Sequence, residues 1–158
     1  MSYGDLLRSF KGLKALVIGD LMLDEYIFGS AERISPEAPV IVLQKQSTKA
    51  VPGGAANVAL NLLALGAETT IVGLIGDDEA GEMLKSALSD SGLTNELIVA
   101  PDRVTTRKTR VVADGRHQIL RIDHETRSAI ATSTESKILE MASRLLQTVD
   151  VILFSDYL

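Results

Sequence analysis

The most informative stretch of the chain is Pro52-Gly53-Gly54-Ala55-Ala56-Asn57-Val58-Ala59. Its adjacent glycines lead into a helix whose first turn is nearly bare of side chains. A ligand can therefore approach the backbone closely and meet the helix N-terminal amides. Asn57 adds an amide that both donates and accepts hydrogen bonds. A Gly-Gly turn before an ordinary core helix is the alternative interpretation, because turn glycines are common.

Helical periodicity continues after this stretch. Val58, Leu62 and Leu65 share one helical stripe, so a helix is predicted from about residue 55 to residue 65. Gly66 supplies the left-handed conformation that ends many helices. A second helix is predicted to begin near residue 79 and to end at Gly92.

Short apolar runs predict buried strands at residues 15–18, 69–75, 96–100 and 151–154. Before the last of these runs, Thr132 and Glu135 have the spacing of a capping box and predict the start of another helix. Strands that alternate with helices in this way are typical of a parallel α/β sheet. The fold class predicted from the residues is therefore α/β.

Two regions depart from this rhythm. Residues 25–33 have no clear pattern, residues 40–43 predict a strand, and the polar residues 44–51 predict a loop back to the glycines. Later, Thr105–Ala113 and His117–Asp123 flank Asp114-Gly115, which is a strong hairpin-turn signal. Because this hairpin is polar on much of both faces, we expect it to project from the sheet rather than to lie at its centre.

Composition excludes several classes of protein. The net charge of −5 gives no broad attraction to nucleic acid or to anionic membranes. The absence of cysteine excludes disulfides and thiolate metal sites and is compatible with a reducing cytoplasm. His117 and His124 lack metal-ligand spacing, so no metal site is predicted. Charged residues interrupt residues 1–16, so no secretory signal or membrane span is expected.

Acidic residues follow three of the predicted strands. In open parallel sheets, ligands bind beyond the carboxyl ends of the strands. Asp20 and Asp24, four residues apart around an expected tight loop, therefore predict a contact with a hydroxyl-rich ligand, although turn capping is the alternative. Asp77 and Asp78 are better interpreted as a helix cap. Asp156 follows the last predicted strand.

The cations of the hairpin are the best candidates for binding an anion. They are Arg107, Lys108, Arg110 and Arg121, and the planar fork of arginine matches a phosphate group. A solvated strand face is the alternative. The chain contains no G-x-G-x-x-G, Walker-type or G-x-S-x-G motif. The residues alone thus indicate an α/β domain with a glycine loop, two acids and a basic hairpin.

The run Gly53-Gly54-Ala55-Ala56-Asn57-x-Ala59, followed by Gly66 and Gly76, resembles the N-terminal signature of the ribokinase-like (PfkB-type) carbohydrate kinases. Four further segments, residues 19–24, 33–40, 118–123 and 155–157, resemble the branch of that family that phosphorylates D-glycero-β-D-manno-heptose 7-phosphate for ADP-heptose and lipopolysaccharide core synthesis. The resemblance extends from about Leu13 to the last residue.

The resemblance implies a three-layer sheet with helices on both faces and a projecting β-lid. Residues 1–158 would be the N-terminal half of one kinase domain, with lid segments at about residues 25–50 and 104–124. The activity implied is transfer of the γ-phosphate of ATP, with Mg²⁺, to a sugar hydroxyl. A homodimer formed through the lid is also implied, in the cytoplasm and without nucleic acid or membrane partners.

The resemblance also implies roles for residues at matching positions. Asp24 would bind a sugar hydroxyl and Asp20 would be a second contact. The residues that would hold the sugar are Gly53, Gly54 and Asn57. The candidates for the phosphate that the substrate already carries are Lys108, Arg110 and Arg121.

One departure from the family pattern is large. The family's catalytic base and anion hole lie in a Gly-Ala/Thr-Gly-Asp motif, and nothing in this chain matches it. We therefore expect no catalytic residue here, poor binding of ATP and Mg²⁺, and no appreciable phosphoryl transfer by this polypeptide alone. A non-catalytic module that binds a sugar phosphate, and a kinase for another sugar, are the alternatives.

Overall fold

A computed structural model describes residues 2–157 of the chain. Its elements in chain order are α1 (Tyr3–Ser9), β1 (Lys14–Gly19), β2 (Leu21–Ile34), β3 (Ile41–Gly54), α2 (Ala55–Ala64), β4 (Glu68–Ile75), α3 (Glu79–Asp90), β5 (Thr94–Val99), β6 (Thr106–Ala113), β7 (His117–His124), α4 (Thr132–Leu145), a 3₁₀ turn (Leu146–Thr148) and β8 (Val151–Ser155).

The four apolar runs form one parallel sheet, as the sequence predicts. Its strand order is β5-β4-β1-β8, and every neighbouring pair is parallel. Burial on both faces is the reason for the apolar runs, because helices cover both sides of such a sheet. Leu16 and Val17 of β1 and Ile71 and Val72 of β4 are all fully buried.

Helices pack on both faces of this sheet. Val17 and its pair Ile71 belong to one core with Leu62 of α2 and with buried residues of α3. Val72, the next residue on β4, projects to the opposite face because strand side chains alternate. There it lines a small cavity together with Ile138 of α4. The three layers that the resemblance implies are therefore present.

A second sheet has the order β3-β2-β6-β7. Strands β2 and β3 are each 14 residues long and pair antiparallel, so the expectations of an undefined segment at residues 25–33 and a loop at residues 44–51 are wrong. Half of the residues of β3 are exposed, all of them in its first nine positions. Exposed polar side chains explain why residues 44–49 show no apolar alternation.

The hairpin predicted at Asp114-Gly115 is confirmed. Both residues have positive φ, +52° and +74°, which is the conformation that tight hairpin turns require. Strand β6 pairs with β2 on one side and with β7 on the other. The hairpin thus lies in the second sheet and outside the parallel sheet, as its polar faces indicate.

The capping box predicted at the start of α4 is wrong. The N-cap is Ala131 and no side chain caps the helix; Glu135 donates its backbone N–H to the carbonyl of Ala131 at 3.0 Å. Thr132 is therefore the first helical residue instead of the cap. No residue of α4 is fully buried. Within residues 2–157, no helix has the length and apolar character needed to cross a lipid bilayer.

The last strand also differs from its prediction as a buried strand. Strand β8 lies at one edge of the parallel sheet, next to β1. None of its residues is fully buried, and Phe154 is 77% exposed. Its apolar composition is that of an interior strand, although in this structure only one neighbour pairs with it.

Candidate functional site

Asp20 links three elements by hydrogen bonds at the carboxyl edge of the parallel sheet. Its backbone N–H donates to the carbonyl of Ser155 at 2.9 Å, and its own carbonyl accepts from the N–H of Ala55 at 2.9 Å. Its carboxylate accepts from the N–H of Tyr157 at 2.8 Å. Asp20 is exposed, so its remaining acceptor positions face solvent at the edge where ligands bind to such sheets.

Asp24 does not lie in a tight loop with Asp20, so that expectation is wrong. It lies within β2, where four residues span about 13 Å. Its carboxylate accepts a hydrogen bond of 2.6 Å from Nη1 of Arg110, and both side chains are largely buried. The guanidinium of Arg110 also lies 5.3 Å from the ring centroid of Tyr26. Asp24, a candidate for the sugar, and Arg110, a candidate for the phosphate, are thus partners of each other.

The two glycines of the opening stretch are explained by close packing of β3 on β2. A Cβ on Gly53 would overlap the carboxylate of Asp24. A Cβ on Gly54 would overlap the carbonyl of Asp20, and the φ of Gly54 is +57°, a conformation that disfavours other residues. Asn57 is exposed in the first turn of α2, and its side chain forms no hydrogen bond with any part of the described chain.

One face of the second sheet carries a network of charges. Lys108 pairs in register with Asp24 on one side and with Asp123 on the other, so all three project from the same face. Nζ of Lys108 lies 3.3 Å from Asp123 and 3.4 Å from Glu125. Arg121 donates to Asp123 at 2.9 Å.

These contacts shift the ionisation of the groups involved. Desolvation acts to raise the pKa of Asp123, but hydrogen bonds from Arg121 and Lys108 outweigh it and lower that pKa. The hydrogen bond from Arg127 lowers the pKa of Glu125. The hydrogen bond to Asp24 raises the pKa of Arg110. Asp123, Glu125 and Arg110 are therefore each stabilised in their charged form.

A cleft of about 690 Å³, termed here the edge cleft, brings part of the predicted site together. It is lined by Asp20, Met22, Arg103, Thr106, Lys108, Arg121, Asp123, residues 125–130, Asp156 and Tyr157. Three predicted site residues, Asp20, Lys108 and Arg121, thus line the same cleft. The other five do not line the edge cleft: Asp24, Gly53, Gly54, Asn57 and Arg110.

Besides Asp156, four charged residues of the edge cleft are missing from the predicted site. Asp123 lies near the end of β7, Glu125 and Arg127 lie in the irregular segment between β7 and α4, and Arg103 lies between β5 and β6. Charged residues at every second position, Asp123, Glu125 and Arg127, are a signal that could have pointed to three of them. That pattern alone also describes a solvated loop.

Asp78 has the capping role that the sequence favours. As the N-cap of α3, its carboxylate accepts from the N–H of Gly81 at 2.8 Å, and it also accepts from the N–H of Thr105 at 2.8 Å. Desolvation opposes its ionisation, but the hydrogen bonds from Thr105 and Gly81 are stronger and lower its pKa. Asp77 is exposed.

The chain is similar to curated proteins along almost its full length. It is 44% identical to the bifunctional protein HldE of Caulobacter vibrioides over 151 residues, 95% of this chain and 30% of that protein. It is 48% identical to the bifunctional protein HldE of Citrifermentans bemidjiense over 147 residues, 92% of this chain and 30% of that protein. The chain thus spans about a third of the length of the curated relatives it matches.

Solved structures confirm the ribokinase-like α/β fold. A ribokinase from Giardia lamblia superposes with a TM-score of 0.65 at 15% identity, covering 90% of this chain and 44% of that one. A tetrameric inhibited form of phosphofructokinase-2 from Escherichia coli gives 0.65 at 18% identity, covering 91% and 45%. The model of the pfkB family carbohydrate kinases matches residues 13–157. Because that match covers nearly the whole sequence, the chain belongs to the pfkB family of carbohydrate kinases.

Proposed function

We propose that this chain carries the sugar-binding side of a kinase for D-glycero-β-D-manno-heptose 7-phosphate, in the synthesis of ADP-heptose for lipopolysaccharide core. One observation carries the proposal. The edge cleft has carboxylates at the strand ends, Asp20 and Asp156, and cations on the second sheet, Lys108 and Arg121. A ligand with hydroxyl groups and a phosphate group matches such a cleft.

The carboxylates suit the sugar hydroxyls because an ionised carboxylate accepts several hydrogen bonds. Asp20 is exposed at the point where α2 begins, which supports its assignment as a sugar contact. Gly53, Gly54 and Asn57 belong to the same turn and are proposed to hold the sugar by their backbone and amide groups. Asp24 is proposed as the main hydroxyl acceptor, and it would then share its carboxylate between Arg110 and the sugar.

The cations suit the phosphate that the substrate already carries. Lys108 and Arg121 line the edge cleft, and Arg110 is proposed as a third cation that would have to turn away from Asp24. In the structure Lys108 and Arg121 are held by Asp123 and Glu125. An arriving phosphate would exchange for these carboxylates, and charge-assisted hydrogen bonds of this kind are among the strongest in proteins.

ATP and Mg²⁺ are the expected co-substrate and metal of the complete enzyme. Among the described residues, no group of three or more His, Asp or Glu side chains could hold a metal ion. The sequence also lacks a glycine-rich motif for the triphosphate. These residues therefore do not fit a nucleotide–metal site, and we assign no catalytic step to them.

The second sheet is proposed as a lid over the sugar and as a dimer surface. Lid closure would exclude water, which competes with the sugar as phosphoryl acceptor. Leu120 and Ile122 of β7 are 53% and 51% exposed and project from the face opposite Arg121. Exposed apolar side chains at this position support a homodimer.

Calorimetric titration of the chain tests the proposal. We expect heptose 7-phosphate to bind more tightly than fructose 6-phosphate or ribose. Tighter binding of either competitor would instead favour a kinase for another sugar. An assay with ATP and heptose 7-phosphate should detect no turnover above the rate without protein. Appreciable turnover would contradict the proposal that catalytic groups are absent from this chain.

A further inference from the structure

Arg103 joins two parts of the chain that are distant in sequence. Its Nη2 donates to the carbonyl of Thr126 at 2.7 Å, and its Nη1 donates to the carbonyls of Ser128 at 2.7 Å and Ala129 at 3.3 Å. Nearby, the N–H of Val104 donates to Oγ1 of Thr126 at 3.2 Å. Four hydrogen bonds thus connect residues 103–104 to residues 126–129.

The segment held in this way is residues 125–130, termed here the wall segment. It contains no helix and no strand, so no regular ladder of backbone hydrogen bonds fixes it. All six of its residues line the edge cleft. It carries Glu125, which pairs with Lys108, and Arg127, which pairs with Glu125. The position of the wall segment therefore determines the charges on one side of the edge cleft.

The other end of this connection is firmly anchored. The N–H of Arg103 donates to the carbonyl of Ala100 at 3.2 Å. Thr105, two residues later, is 1% exposed and accepts from the N–H of Gly76 at 2.8 Å, while its own N–H donates to Asp78. The contacts of Arg103 thus hold an irregular segment against the well-packed ends of β4 and α3.

A cation that lines the edge cleft could be interpreted as a phosphate ligand, but the contacts of Arg103 indicate another role. Both of its terminal nitrogens already donate to backbone carbonyls. Guanidinium has a planar fork of donors that can reach several carbonyls at once. Lysine has a single ammonium group and cannot reproduce that geometry.

We propose that Arg103 is a positioning residue that holds the wall segment so that Arg127 stays at the phosphate end of the edge cleft. This inference rests on the proposed function for the identity of the ligand. It does not depend on that function for the contact between Arg103 and the wall segment. Arg103 does not itself bind the substrate.

The test compares Arg103→Lys with Arg144→Lys. Arg144 makes a single exposed contact, to Glu96 at 3.1 Å, and therefore controls for the same chemical change on the surface. In the chain without ligand, Arg103→Lys should accelerate hydrogen exchange of the Val104 amide, which donates to Thr126, and trypsin cleavage after Arg127, each roughly tenfold. Arg144→Lys should change neither rate.

The second measurement is calorimetry with heptose 7-phosphate and with heptose that lacks the phosphate. Arg103→Lys should weaken binding of the phosphorylated sugar roughly tenfold and leave that of the other sugar unchanged. A loss that is equal for both sugars would mean general destabilisation and would overturn the positioning role. Unchanged exchange and cleavage in the variant would overturn it as well.

Two further outcomes keep the inference separate from the proposed function. If the unsubstituted chain binds neither sugar, the proposed function is wrong. Faster exchange in Arg103→Lys would still support the contact between Arg103 and the wall segment. If Arg103→Lys does not fold, Thr126→Val removes the contact to Val104 and keeps every cation. It should accelerate trypsin cleavage after Arg127 in the same direction, and unchanged cleavage would overturn the inference.

Discussion

Gly53 of β3 packs against the side chain of Asp24 on the neighbouring strand β2. The carboxylate of Asp24 occupies the space where a side chain of residue 53 would lie, and it is held there by Arg110. The glycine that suggests a ligand loop in the sequence is thus required first by a protein carboxylate. Packing and sugar binding can share this residue, because only a bare backbone lets Asp24 lie so close.

Gly53→Ala should therefore destabilise the chain. The new methyl group would overlap Asp24 and crowd Met22, and overpacking of this kind costs about 1–3 kcal/mol. Urea denaturation measures the free energy of unfolding. Gly4→Ala is the matched control, since its Cβ would be 3.5 Å from Arg8 in an exposed helix and should not destabilise. Equal stability of Gly53→Ala and the unsubstituted chain would contradict this packing.

Among the elements, α3 depends on a carboxylate with two roles. Asp78 caps the helix through Gly81 and also fixes Thr105 at the start of β6, using one oxygen for each contact. Asparagine has only one acceptor oxygen and can keep one of these contacts. Asp78→Asn should therefore lower the free energy of unfolding at pH 7 by about 1–2 kcal/mol.

The same substitution should change the pH dependence of stability. The pKa of Asp78 is lowered in the folded chain, so the unfolded chain binds more protons in mildly acidic solution. The stabilisation is complete above the unfolded pKa of about 3.9 and is lost as the pH falls through the folded value. Denaturation between pH 5 and pH 3 should show a shallower slope for Asp78→Asn.

Asp90→Asn is the control for that slope. Asp90 is exposed at the end of α3, and its carboxylate has no hydrogen-bond partner within residues 2–157. The control removes the same charge without removing a cap. If both variants flatten the slope equally, the contacts of Asp78 do not account for the acid sensitivity.

The elements also show where the sequence was informative. Apolar runs identified the parallel sheet because burial on both faces leaves a strong composition signal, and Asp114-Gly115 identified the hairpin because its turn needs positive φ. Strands β2 and β3 left a weaker signal, which predicted a strand only at residues 40–43; half of β3 is exposed, and half of β2 is only partly buried. The contact of the wall segment with Arg103 left no signal, because Arg103 donates to backbone carbonyls.

For the molecule as a whole, residues of both sheets line the edge cleft. The parallel sheet presents Asp20 at its carboxyl edge, and the second sheet presents Lys108 and Arg121 across the edge cleft. The sequence named both sets of residues as candidates but placed Asp20 next to Asp24. The distance between Asp20 and Asp24 depends on β2 being a strand, which the residue types alone did not reveal.

The proposed homodimer predicts that the outer face of the second sheet is sensitive to charge. Ile122→Glu should convert the dimer to a monomer, because an ionised carboxylate is costly to bury in an apolar interface. Sedimentation velocity measures the change. Leu139→Glu, on the 60% exposed position of α4, is the control and should leave the dimer intact. A monomeric unsubstituted chain would contradict the proposed dimer directly.

We propose that the cations of the edge cleft recognise the phosphate that the sugar carries. Calorimetry can isolate this contact by titrating heptose 7-phosphate and unphosphorylated heptose into the chain and into Lys108→Gln. We predict that the substitution weakens binding of the phosphorylated sugar about tenfold or more and leaves binding of the other sugar within about twofold. Equal affinities of the unsubstituted chain for both sugars, or equal losses in Lys108→Gln, would contradict the claim.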